Sequence, residues 1–168
     1  GHNISGIMYL TKHEKDYFGI YNTQGDIGTS QHQRMSVELI PFPELIGIFN
    51  SNSKSNDFVI WDYPDYYNSK LYDITDDFKY IQVKQAGYYR LNISITTSCS
   101  SSSAVVSLNV NDNEYSIAKM GCQGGTYYNT IPIFEIVKLN KNDKISIGTS
   151  TFYANYKYNV LTIERIPA

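Results

Sequence analysis

Cysteine is scarce: Cys99 and Cys122 are the only two in 168 residues, too few for a disulfide scaffold, and neither has a histidine nearby in sequence for a zinc site. They either pair with each other, which would argue for an oxidising compartment, or remain small buried apolar groups. Histidine is scarce too. His2, His13 and His32 all fall early in the chain, and only Glu14 beside His13 supplies a neighbouring acid, so local sequence assembles no histidine-based acid–base or triad chemistry. Long apolar runs are absent. Leu45 to Phe49 is among the longest, far short of the ~20 residues of a membrane-spanning helix. Net charge is also small, at −2, which excludes a strongly basic nucleic-acid binder. Neither nucleic acid nor membrane insertion is expected.

What is present points to strands. With 42% hydrophobic and 18% charged residues the chain is not of a disordered type, and its length suits one domain with its own core. Sixteen tyrosines stand against one tryptophan, in a background of Asn, Ser, Thr and Ile that favours strands and turns over helices. An AT-rich genome produces the same bias. Gly1 and His2 show no signal-peptide pattern and read as the remnant of a cleaved tag, so the chain reads as a fragment of something longer.

The period-two alternation is clearest from Phe78 onward. Tyr89, Leu91, Ile93 and Ile95 make one face of a strand, and Tyr88, Arg90, Asn92 and Ser94 the other. Val106, Leu108 and Val110 repeat the pattern. Asn111-Asp112-Asn113 then supplies residues that tolerate positive φ before a strand around Tyr115 and Ile117, which predicts a hairpin. Further strands are expected over Ile131 to Leu139, through Ile145 and Ile147, and over Asn159 to Ile166, with a turn at Asn140 to Asp143. Upstream, strands are expected at Ile7 to Leu10, Tyr17 to Tyr21, Met35 to Ile40 and Phe58 to Trp61, with loops or a hinge at Gly25 to Gln33 and Asn50 to Asn56. No segment has helical periodicity. The predicted class is all-β, an antiparallel two-sheet sandwich or a barrel. Its expected organisation is residues 1–2 as tag remnant, 3–57 as a leading β segment or shaft-to-head region, and 58–168 as the head domain.

Several short signatures occur in an order that resembles the tumour-necrosis-factor-like superfamily, in particular globular heads of the complement-subunit-q type. They are Tyr72-Asp73 before a turn, Phe78 opening a strand, Gly87-Tyr88-Tyr89 opening the next, Leu108 to Asn111 in a hairpin and Leu139 to Asp143 in a turn. Asn142 stands where such heads usually carry glycine, and Asn tolerates the left-handed region well. The resemblance covers about Phe58 to Ile166 and implies a jelly roll that assembles as a homotrimer and binds through loops at one end. Such heads occur in secreted ligands, on spores and at viral or phage fibre tips.

The candidate site residues follow from chemistry and alternation. In each doublet Tyr66-Tyr67, Tyr88-Tyr89 and Tyr127-Tyr128 a strand would turn one ring inward and one outward. Outward tyrosines bury large area and keep a polar tip. Tyr88, with Tyr153 and Tyr156, is assigned to a subunit interface. Tyr127, Tyr128, Tyr66, Tyr67 and Trp61 are candidate ligand contacts, since aromatic rings stack on sugar faces; packing under a loop is the plainer reading of the Tyr127-Tyr128 doublet. Asp73, Asp76 and Asp77, in an acidic stretch with Asp62 and Asp65, are either a calcium site or a solvated loop. Cys99 lies in a serine-rich run without a nucleophile elbow, and reads as loop or disulfide anchor. The sequons Asn3-Ile4-Ser5 and Asn92-Ile93-Ser94 matter in a eukaryotic or viral setting.

The expected function is a non-catalytic, homotrimeric receptor-binding or adhesion head of a fibre or spike, extracellular or on a virion surface, contacting a host cell-surface glycan or protein receptor. Two alternatives are a structural trimerisation cap of a fibrous protein and a secreted complement-like ligand. An enzyme would need paired carboxylates ~5–9.5 Å apart, such as Asp65 and Glu135.

Overall fold

The alternation through Tyr89, Leu91, Ile93 and Ile95 sets the architecture, because a strand with one wholly apolar row must bury that row against a second layer. The computed structural model of the chain describes residues 43–99, 103–121, 127–155 and 158–167, without the side chains of Pro43, Cys99 and Tyr127. The chain divides between Pro41 and Phe42, and everything described lies in Phe42–Ala168. The strands expected at Ile7 to Leu10, Tyr17 to Tyr21 and Met35 to Ile40, the Gly25 to Gln33 hinge and all three histidines lie outside the described residues.

A short 3-10 turn, Pro43–Leu45, leads into β1 (Ile46–Asn50), β2 (Ser53–Ser55), β3 (Phe58–Ile60), β4 (Tyr63–Tyr67), β5 (Tyr72–Ile74) and β6 (Ile81–Val83). Then follow β7 (Gly87–Cys99), β8 (Ser103–Val110), β9 (Asn113–Gly121), β10 (Tyr127–Leu139), β11 (Lys144–Thr149) and β12 (Val160–Arg165). One sheet has the order β10-β7-β12-β1-β4. The other runs β2-β3-β11-β6-β5, with β8 paired to β11 and β9 paired to β8. All pairings are antiparallel. The architecture is the expected all-β two-sheet jelly roll.

Leu91, Ile93, Ile95, Ile133, Leu161 and Ile163 from the first sheet meet Val59, Ile81, Val106, Leu108, Ile145 and Ile147 from the second, all buried. Each such side chain contributes roughly 1.5–3 kcal/mol on burial. Two tyrosines extend this core by keeping the hydroxyl satisfied: Tyr72 donates to the Leu45 carbonyl at 2.5 Å and Tyr89 to the Gln85 carbonyl at 2.6 Å. Their rings meet edge to face, with centroids 6.2 Å apart.

Strands β1 and β2 lie within the stretch assigned to a leading segment, yet β1 sits between β12 and β4 in the first sheet. The sandwich therefore begins upstream of Phe58. A central strand is apolar at both parities, which is why Leu45 to Phe49 shows no alternation. Phe78 also departs from expectation. It opens no strand but takes φ 57° in a turn, its N–H donating to the Thr75 carbonyl and its carbonyl accepting from Trp61 N–H. Gly87 does open β7, although outside the left-handed region; its missing side chain spares Arg165, whose Nε lies 3.2 Å from where a Cβ would stand.

The asparagine turns form as read. Asn111 and Asp112 take φ 52° and 62° in the β8–β9 hairpin, the two positive values of a type I′ turn. Asn142 takes φ 73°. Tertiary structure then joins the two turns, since Asn111 Nδ2 donates to Asp143 Oδ1 and Asn111 Oδ1 accepts from Lys144 N–H, each at 2.9 Å.

Candidate functional site

The two longest strands pair with each other from Gly87↔Leu139 to Cys99↔Tyr127. Directly opposed residues share a face, so the row opposite the core is Tyr88, Arg90, Asn92 and Ser94 on β7 with Lys138, Ile136, Phe134, Pro132 and Tyr128 on β10. Four of these are large and open to solvent: Phe134 is 60% exposed, Ile136 and Tyr128 58%, and Tyr88 55%. Beside them Arg90 Nη1 meets Glu164 Oε2 at 2.9 Å, an exposed pair of small energetic weight.

At one end of this face Tyr128 packs on Tyr153, with ring centroids 4.3 Å apart and tilted by 47°. The segment carrying Tyr153 is held by Asn159, which is fully buried. Asn159 Nδ2 donates to the carbonyls of Tyr153 at 2.8 Å and Asn155 at 3.0 Å, while its Oδ1 accepts from Thr96 N–H at 2.8 Å. One amide thus ties a loop to β7.

The doublets split as alternation requires. Tyr89 is buried and Tyr88 open. Tyr67 packs on the core, its ring centroid 5.3 Å from that of Phe49, while Tyr66 is half-buried and pairs with Ile48 on the outward parity. Trp61, by contrast, is no ligand contact. It is fully buried in the core, and its indole N–H has no hydrogen-bond partner. It directly follows β3, whose buried Val59 lies on the same parity. Tyr67 likewise belongs to the core rather than to a ligand surface. Tyr156, Cys122 and the side chains of Tyr127 and Cys99 lie outside the described residues, and with them the question of the pair Cys99–Cys122.

Tyr88 and Tyr153 are not neighbours. Tyr88 opposes Lys138, while Tyr128, the partner of Tyr153, opposes Ser98; ten residues of strand at ~3.3 Å each separate the two ends by roughly 33 Å. Phe134 and Ile136 fill the interval. Sequence reasoning missed both, although the run Ile131-Pro132-Ile133-Phe134-Glu135-Ile136-Val137 carries the signal: apolar residues at both parities mean a strand with two faces to cover.

The acidic candidates do not converge. Asp73 Oδ2 lies 3.1 Å from Lys84 Nζ. Asp77 accepts from Thr75 Oγ1 at 2.5 Å and from Lys79 N–H at 3.1 Å, and the Thr75 hydrogen bond foremost holds its carboxyl below the usual range. Asp76 is exposed. Among the described residues no three His, Cys, Asp or Glu side chains gather to hold a metal, so Asp73, Asp76 and Asp77 form no calcium cage. Asp65 and Glu135 sit on β4 and β10, the two opposite edges of the first sheet. Four interstrand steps of ~4.8 Å put them about 19 Å apart, too far for a glycosidase pair.

No protein-family model and no curated protein matches the sequence. Solved structures do match the fold. Eiger TNF from S. frugiperda superposes with a TM-score of 0.61 at 10% identity, over 73% of this chain and 92% of that one. Murine APRIL superposes with a TM-score of 0.64 at 11% identity, over 72% and 98%. At such low identity the likeness speaks to fold alone: the domain has a tumour-necrosis-factor-like jelly-roll fold.

Proposed function

We propose that this domain is a non-catalytic, homotrimeric recognition head of a fibre or spike, extracellular or on a virion surface, that contacts a host glycan or protein receptor. The observation that carries this reading is the open apolar strip of Tyr88, Ile136, Phe134 and Tyr128 on β7 and β10. Large exposed apolar side chains gathered on one sheet face mark a surface suited to being covered, and a row along the sheet suits copies of the same chain packed around an axis. The resemblance to complement-type heads implies the same assembly. Asn92 opposes Phe134 and Thr162 in this strip. A glycan there would hold the copies apart, which weighs against the secreted, glycosylated alternative.

Light scattering of the 19.2 kDa chain tests the assembly, with about 58 kDa expected for three chains. A monomer at micromolar concentration would overturn it. Binding of the purified protein to host cells, with no change in the chemistry of the bound glycan or receptor, tests recognition without catalysis.

A further inference from the structure

The outer face of the second sheet carries a hollow of about 370 Å³ lined by Asp57, Phe58, Ser107, Asn109, Gly148 and Ser150, among others. We infer that it is a binding site for a neutral sugar ring. This rests on the reading of the domain as a recognition head, and it assigns the glycan class of ligand to a place away from the apolar strip.

Strand pairing sets the floor. Gly148 pairs with Phe58 on one side and Ser107 on the other. A Cβ at Gly148 would come within 2.5 Å of Ser107 Oγ and 3.4 Å of Asn109 Nδ2, so the missing side chain makes room for the Ser107 hydroxyl in the floor. Around it stand polar groups with capacity to spare. Asn109 is nearly buried, and its amide makes only a long contact, 3.4 Å, to Ser107 Oγ. Ser150 Oγ accepts from Val105 N–H at 3.2 Å, which leaves its own proton to donate. Ser107, Asn109 and Ser150 line the hollow, and a hydroxyl-rich ligand would bond to these groups directly or through water.

The walls select further. Phe58 offers an apolar ring to the C–H face of a sugar, and Asp57, exposed at the rim, offers a carboxylate to adjacent hydroxyls. Lys79, whose ammonium lies 3.6 Å from the Phe58 ring centroid, lines the smaller hollow beside Asp77 and not this one. With Asp57 as its only charged lining residue the hollow disfavours anions. An extended peptide is disfavoured too, because β3, β11 and β8 beneath it are paired on both sides and leave no backbone groups to bond. The volume is at the low end for small-ligand sites, ~300–1,000 Å³.

The test is ligand-observed and amide-shift NMR on the full chain with free hexoses and N-acetylhexosamines, followed by a glycan array that separates free sugar from chain-terminal sugar. At least one neutral sugar should saturate, shifting Ser107, Asn109 and Gly148. Asp57→Ala, at an exposed side chain, should weaken it about tenfold, as expected for losing hydrogen bonds to a charged group. Gly148→Ala should abolish it; if that variant does not fold, Ser107→Val serves instead. Saturation that maps to Tyr128, or that Asp57→Ala and the floor variant leave unchanged, overturns the hollow while the recognition head stands. No binding by any neutral sugar also overturns it. A monomer that still binds sugar in the hollow upholds this inference and sinks the trimeric head.

Discussion

The outer faces of the two sheets differ in chemistry although their inner faces are alike. On the first sheet Tyr88, Ile136, Phe134 and Tyr128 stand open in a strip. On the second, Ser107, Asn109 and Gly148 help line a hollow, and large apolar groups such as Ile117 and Tyr115 occur out on β9, an edge strand. Inward, both sheets present Ile, Leu and Val. A sandwich needs only one face of each sheet for its core, which leaves the other two free to differ in chemistry.

The largest expected effect would break this comparison if it failed. Phe134→Asp combined with Ile136→Asp should lower the solution mass from about 58 kDa to that of the 19.2 kDa chain, whereas Ile117→Asp, 55% exposed on the second sheet, should leave it unchanged. If both variants or neither dissociate, the faces are not specialised. Next comes a test within one strand. Ile133→Ala removes a core side chain and should cost about 2–5 kcal/mol in urea unfolding of the dissociated chain, while the adjacent Phe134→Ala should cost under about 0.5 kcal/mol.

A third test addresses the end of the strip. Asn159→Leu deletes the amide that holds the Tyr153 segment, strands Thr96 N–H in the interior and should cost about 1–3 kcal/mol. Hydrogen exchange at Thr96 N–H and loss of the Tyr128–Tyr153 ring contact by NMR would report it. A fourth uses pH. Burial, above all, raises the Tyr72 hydroxyl pKa above its ordinary 10.0, so the folded chain keeps a proton that the unfolded chain releases. Stability is then whole below pH 10 and falls above it, by up to ~1.4 kcal/mol per pH unit for this group. Tyr72→Phe should lose about 1 kcal/mol at neutral pH, with the bond to Leu45, and show a shallower alkaline decline; an unchanged decline would refute the assignment. A single-turn test is Asn142→Ala, at φ 73°, expected to cost about 1 kcal/mol in thermal unfolding.

Much of the fold was legible. The strands from β7 to β12 follow from alternation, and the hairpin at Asn111-Asp112 and the turn at Asn142 follow from residues that tolerate positive φ. Less was legible in the first half, where β2, β3, β5 and β6 have three residues each, too few for a period to show. The candidate site was legible only in part. Tyr88 was read as an outward ring and Tyr128 only as one of a doublet, while Phe134 and Ile136 were absorbed into an expected core strand, and Trp61 was placed on a surface it never reaches.

By itself, then, the sequence determined the all-β class, the inward rows of β7, β8 and β10, the turns made by Asn and Asp, and that a tyrosine doublet splits between two faces. These depend on neighbours one or two residues away, where side-chain direction is set by the pleat. Tertiary structure alone decided what lies beside what. Strand order put Asp65 and Glu135 on opposite edges, set Tyr88 and Tyr153 at opposite ends of one face, drew β1 into the centre of a sheet and brought Gly148, Ser107 and Asn109 together. Those distances are fixed by pairing between residues far apart in the chain, and no local pattern encodes them.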